Sequence, residues 1–199
     1  MKNIFSTLLL ISAFTIKAQE VIQFPALKKQ INSIAFIDKK AGQDVRYGKI
    51  EERDSLIKNV KEIFIRNTAL AKQIFAEYGF PNYDKVGKEG EKNFFLCVQH
   101  SDHDLKFQQA VLKQMKKEVR RKKADPSSFA YLTDRVNINS GNSQISGTQL
   151  EYDKQKTAFP KNLKNPNKVN DRRKSIGLEP IEDYLKFATE AHRQMNPDK

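Results

Sequence analysis

The chain has 199 residues, a formal net charge of +12 and one cysteine. That length suits one domain after any targeting segment is removed, and it is enough chain to bury a core of its own. A single thiol excludes an intrachain disulfide, and the basic balance directs the search for partners towards anions.

The first residues predict a secretory signal peptide over 1–18. Lys2 is the positive end, Ile4 to Ile16 is an uncharged, largely apolar run, and Ala18 closes a small-residue site before Gln19. The run is too short for a comfortable membrane span. Its removal deletes Lys2 and Lys17 and no acid, so the charge falls from +12 to +10. An exported, periplasmic or secreted bacterial protein is expected, with residues 19–199 as a single domain and its motif-bearing core at about 41–190. Export argues against a nucleic-acid role. It leaves an anionic small molecule or a cell-envelope polymer as partner, with no transmembrane segment after cleavage.

Pro25 to Ile37 carries Leu27, Ile31, Ile34 and Ala35 at helical spacing. Asp38 to Gly48 is polar and reads as a loop. Leu56, Val60, Ile63, Phe64, Leu70, Ala71, Ile74 and Tyr78 predict a long helix, stopped by Gly79 and Pro81. Pro81 to Lys92 reads as a glycine-containing loop. Phe94 to Gln108 begins apolar and ends in a dense polar cluster. If it were one helix, His100 and Asp102 would point about 200° apart. A break capped by Ser101 or Asp102 is therefore expected, followed by a helix to about Arg121. Its lysines and arginines read first as a solvated face. Asp125-Pro126 opens another helix. Val136 to Gln149 reads as a hairpin turning at Ser140-Gly141-Asn142, and Glu151 to Lys168 as a long surface loop. Asn170 or Asp171 is expected to cap a short helix ending at Gly177, and Pro180 to start the last one. The fold class is mainly α, a single helical domain with one small β-hairpin.

Several polar residues stand at junctions between these elements. His100 is the natural acid–base group, because imidazole changes charge near neutral pH. Asp102 or Asp134 is positioned in sequence to orient it. Gln99, Gln108, Gln144 and Gln149 offer neutral donors and acceptors. Arg46, Arg135, Arg172 and Arg173 offer bidentate donors for carboxylate or phosphate. Each also has a structural reading: a cap, an ion pair between elements, or a partner for buried backbone. No metal or cofactor is expected. His100-x-x-His103 with Asp104 has a zinc-like spacing, but the helix break separates the two rings. Cys97 lies in an apolar run and reads as core. There is no Gly-x-Ser-x-Gly elbow and no phosphate-cradling glycine loop.

The order Gln99-His100-x-Asp102, Gln108, Tyr131-Leu132-x-Asp134-Arg135, Gln144-x-x-Gly147-Thr148-Gln149, Asp171-Arg172-Arg173 and Gly177-Leu178 resembles an uncharacterised bacterial domain family of unknown function. The resemblance extends to Gln43, Asp44 and Arg46, to Gly79 to Pro81 and to Gly87, and so covers most of the mature chain. The family motif usually reads Tyr-Gly-Thr-Gln; here Ser146 stands for the Tyr, which removes any stacking by that ring. The resemblance implies kinship and no reaction. Two functions fit the residues: an exported hydrolase or transferase using His100 on a polar anionic ligand, or a non-catalytic exported binding or structural protein.

Overall fold

A computed structural model describes residues 21–196; the leader expected over 1–18 lies outside them. Among the described residues the helices are α1 (Pro25–Tyr47), α2 (Arg53–Tyr78), α3 (Tyr83–Gln99), α4 (Leu105–Arg120), α5 (Pro126–Asn139), α6 (Val169–Ser175) and α7 (Ile181–Met195). Strands β1 (Leu150–Tyr152) and β2 (Ala158–Pro160) form one antiparallel hairpin, with Glu151 opposite Phe159. The mainly α class with one small hairpin is what the structure shows. No helix among these residues is long and apolar enough to cross a membrane.

The core is one cluster shared by the first five helices. Leu27, Ile31 and Ile34 of α1 meet Ala71 and Ile74 of α2 and Phe94 and Val98 of α3, and Phe107, Val111, Met115 and Leu132 extend it through α4 and α5. Phe80 packs edge-on against Phe94, with ring centroids 6.0 Å apart. Burying a side chain of this size contributes roughly 1.5–3 kcal/mol. The hairpin, α6 and α7 lie outside this cluster and bury a smaller set, including Ala158, Val169, Ile181 and Ala188.

Local structure departs from the sequence expectation at several places. The stretch 38–47 is helix, not loop. Asp38 and Ala41 continue the buried stripe of Ile31, Ile34 and Ala35, so the face persists although its residue type turns polar. The stretch 83–92 is also helical: the Asn82 side chain accepts the Lys85 N–H and opens α3. Gly87 interrupts that helix at φ 70, ψ 173, a conformation open to glycine, so the bend falls there.

The break between α3 and α4 falls where it was expected, but its cap is Asp104, not Ser101 or Asp102. Asp104 Oδ1 accepts the Phe107 N–H at 3.0 Å. The hairpin is displaced too. Helix α5 runs on to Asn139, and Ser140-Gly141-Asn142 closes it: Gly141 has φ 78, and the Asn142 N–H reaches back to Asn137 O. This is a Schellman closure, built from the same residue types that a hairpin turn uses. The β-structure lies instead at 150–160, almost wholly within the stretch where a surface loop was expected. Asn170 does not cap α6; its Oδ1 accepts the Ile181 N–H and so caps α7 from outside.

Candidate functional site

Helix α3 ends at Gln99, and His100 follows as its C-cap with φ −86, ψ 5. That turn aims the imidazole at α1 and α2. Its Nδ1 lies 2.6 Å from Oδ1 of Asp38, which is 1% exposed. Phe64 of α2 stacks on the imidazole, with centroids 4.3 Å apart and planes at 23°. The His100 side chain keeps 24% of its surface exposed, so one edge reaches solvent. Asn67 Nδ2 approaches Asp38 Oδ2 at 3.5 Å and Ile34 O at 3.4 Å, both at the outer limit for a hydrogen bond. Beside this pair, Ser101 and Thr68 hydroxyls meet at 2.8 Å, and Ser101 donates to Cys97 O. Burial, helped by the charge of Asp38, pushes the Cys97 thiol up to about 12, so it carries no thiolate at neutral pH.

Asp102 leaves the same turn in another direction. Its carboxylate takes a two-pronged contact from Arg135 of α5, Nε to Oδ1 at 2.7 Å and Nη2 to Oδ2 at 2.6 Å. Gln108 Nε2 and Asn139 Nδ2 also donate to Oδ1, at 3.2 and 2.9 Å. Burial pushes the Asp102 carboxyl up, but the Arg135 hydrogen bonds and charge outweigh it and hold the group below its ordinary value. Gln108 is fully buried; its Nε2 also donates to the carbonyls of Val98 and Gln99, which ties the end of α3 to α4. Gln99 thus contributes a backbone acceptor.

Asp134 of α5 turns its carboxylate into the segment that follows the helix. It is 0% exposed. Its two oxygens accept the N–H groups of Ile145, Ser146 and Thr148 at 2.7–3.1 Å and the Thr148 hydroxyl at 3.0 Å. Gln144 holds the same segment from the other side: Oε1 accepts the Gln149 N–H at 2.9 Å, and Nε2 donates to the carbonyls of Gln149 and Lys161. Gly147 has φ +72, a conformation that favours glycine, and a Cβ there would meet Ile181 Cδ1 at 2.4 Å and push that methyl aside. Arg173, fully buried, gives Nε to Glu179 O and Nη1 to Ser146 O and lies over the Tyr184 ring at 4.9 Å. Arg172 gives Nε to Ile145 O and its Nη atoms to the carbonyls of Lys164 and Asn165. Ser146 serves through its backbone, so the tyrosine ring usual at this place is not needed for these contacts.

The residues singled out from sequence thus fall into two groups. Asp134, Arg135, Gln144, Gln149, Arg172 and Arg173 join one network around 144–149, and Arg135 Nη1 reaches Gln149 Oε1 at 3.3 Å. His100 is held elsewhere, by α1 and α2, with Asp102 and Gln108 standing between the two. Arg46 is exposed and lies over the Tyr47 ring of its own helix at 6.0 Å. His103 is exposed while His100 turns inward to Asp38, and Asp104 accepts from Lys72. Among the described residues no group of three or more His, Cys, Asp or Glu is placed to hold a metal ion. Sequence reasoning missed Asp38, Phe64, Asn67 and Thr68. Asp38 left a signal: it falls in register with an apolar helical stripe, where a carboxylate requires a partner.

These contacts define a helical protein with a buried carboxylate–imidazole pair and a separately braced loop. The chain belongs to the family of unknown function DUF6624, which matches residues 25–195. No curated protein and no solved structure matches it.

Proposed function

We propose that the protein is an exported hydrolase or transferase in which His100 is the acid–base group acting on a polar anionic ligand. The observation that supports this reading is the 2.6 Å contact between His100 Nδ1 and the buried Asp38. With Asp38 as acceptor at Nδ1, the neutral form of the imidazole carries its lone pair on Nε2, which has no hydrogen-bond partner among the described residues. Such a nitrogen takes a proton from water in hydrolysis, or from an acceptor hydroxyl in transfer, and returns it to the leaving group. Asp38 therefore replaces Asp102 and Asp134 as the orienting carboxylate. Asp102 is committed to Arg135 and Asp134 to backbone N–H groups.

The reading predicts that His100 is accessible and nucleophilic at Nε2. Diethylpyrocarbonate at neutral pH is expected to modify His100 in the full chain, located by peptide mass spectrometry. Resistance of His100 while exposed His103 reacts defeats the reading. With chromogenic phosphate, acyl and glycosyl esters as probes, His100→Gln is expected to lower any turnover about 10²–10⁴-fold. Export rests on residues 1–18, and a mature N-terminus at Gln19 in protein taken from its host is the expected result.

A non-catalytic binding or structural role is the second reading. It is favoured by the arginines: Arg172 and Arg173 direct most of their donors to backbone carbonyls, and Arg135 is paired with Asp102. A His100 that resists modification while His103 reacts decides against the enzyme and leaves the binding or scaffold role.

A further inference from the structure

We propose that the outer face of α4 is a docking strip for a base-free phosphodiester polymer of the polyol-phosphate kind. The inner face of α4 is committed to the core through Phe107, Val111 and Met115. Its outer face carries Lys106, Lys113, Lys116, Lys117 and Arg120, all exposed. At 100° per residue these five lie within about 100° of one another, along about 21 Å of helix. None makes an ion pair or hydrogen bond with another described side chain. The acids nearest in sequence are engaged elsewhere: Glu118 accepts from Asn82 and Arg121, and Asp104 from Lys72 and the Phe107 N–H. A row of uncompensated cations one helix wide complements a single anionic chain.

The rest of the face narrows the choice of polymer. Its other exposed positions are Gln109 and Ala110, and no aromatic ring is exposed on it. Single-stranded nucleic acids are held on aromatic platforms as well as cations, and this face offers none. Interfacial membrane helices pair their cations with a buried apolar stripe, and on α4 that stripe faces the core. Four of the five cations are lysines, point charges that follow an irregular row of phosphates without the fixed geometry of an arginine fork. The inference is independent of the role of His100.

Binding of labelled poly(glycerol phosphate) to the full chain, read by fluorescence anisotropy, tests it. Five contacts predict a log–log salt slope of about −3.5, which is about 100-fold weaker binding at 200 mM than at 50 mM salt. The double variant Lys113→Gln with Lys117→Gln is expected to reduce the slope by about 1.4. Lys154→Gln with Lys174→Gln, exposed and outside α4, is expected to change nothing. No binding at 50 mM salt, an equal loss in the control variant, or tighter binding of oligo-dT or of anionic vesicles overturns the proposal. Acetylation footprinting of the unmodified protein serves if a variant fails to fold: protection of Lys113 and Lys117 by the polymer is expected, and uniform protection of all lysines overturns it.

Discussion

His100 and Asp38 are 62 positions apart in the chain, and their side chains meet at 2.6 Å. The contact joins the end of α3 to the middle of α1, and Phe64 of α2 closes over it. One imidazole thus ties three helices together while keeping an edge in solvent. Removing it leaves a buried carboxylate with only the long contact from Asn67. His100→Ala is therefore expected to remain folded but to lose roughly 2–3 kcal/mol. In a double-mutant cycle with Asp38→Ala the losses are expected to be less than additive, because either change alone strands a partner. Urea unfolding of the four proteins checks this; strict additivity means the two side chains do not stabilise each other.

Asp134 makes a different prediction. Its carboxylate gathers three backbone N–H groups and one hydroxyl in a fully buried setting. Asp134→Ala strands those donors and is expected to destabilise the domain by roughly 3–5 kcal/mol. Asp134→Asn keeps one acceptor oxygen and should fall between. Limited proteolysis is expected to cut first within 143–149 in the Ala variant. Cleavage there at the wild-type rate would show that Asp134 does not anchor the segment.

Glu91 is buried where α3 meets the start of α5, with Oε1 accepting the Asp125 N–H at 3.3 Å and Oε2 without a partner. Burial pushes its carboxyl up to about 8, against that one hydrogen bond. The unfolded chain releases this proton near the ordinary value of 4.5, while the folded chain retains it to about 8. The folded state then binds more protons across that interval, so the contribution of Glu91 to stability is full below 4.5 and declines as pH rises to about 8. Glu91→Gln carries no such proton and is expected to flatten the fall in urea midpoint between these limits. Parallel pH profiles for the two proteins would show that Glu91 titrates normally.

Asp104, the observed cap of α4, also bonds Lys72 at 2.6 Å. Asp104→Ala is expected to lose about 1 kcal/mol by removing the cap. Asp104→Asn keeps the capping oxygen and gives up only an exposed ion pair, so it should stay within about 0.5 kcal/mol of wild type. Equal losses in the two variants, measured by denaturant unfolding, would assign the effect to Lys72.

Periodicity made α2, the Asp125-Pro126 start of α5 and the closing helix legible in the sequence, because those signals are local: a 3.6-residue apolar repeat, a cap and a proline at the first turn. The junction after Gln99 was legible for the same reason. Local chemistry is ambiguous elsewhere. Ser140-Gly141-Asn142 suits a hairpin turn and a helix closure equally, and only the packing of Val136 into the core selects the helix. Asp38 illustrates the limit most plainly. By itself a carboxylate after Ile37 marks a helix end. Its place inside α1 depends on His100, brought from 62 residues away by the packing of α3 on α1. The sequence by itself determined which residues are polar at element junctions and that the chain is helical. Which of them pair was decided by tertiary structure, since a hydrogen bond of 2.6 Å between distant segments exists only once the helices that carry them are packed.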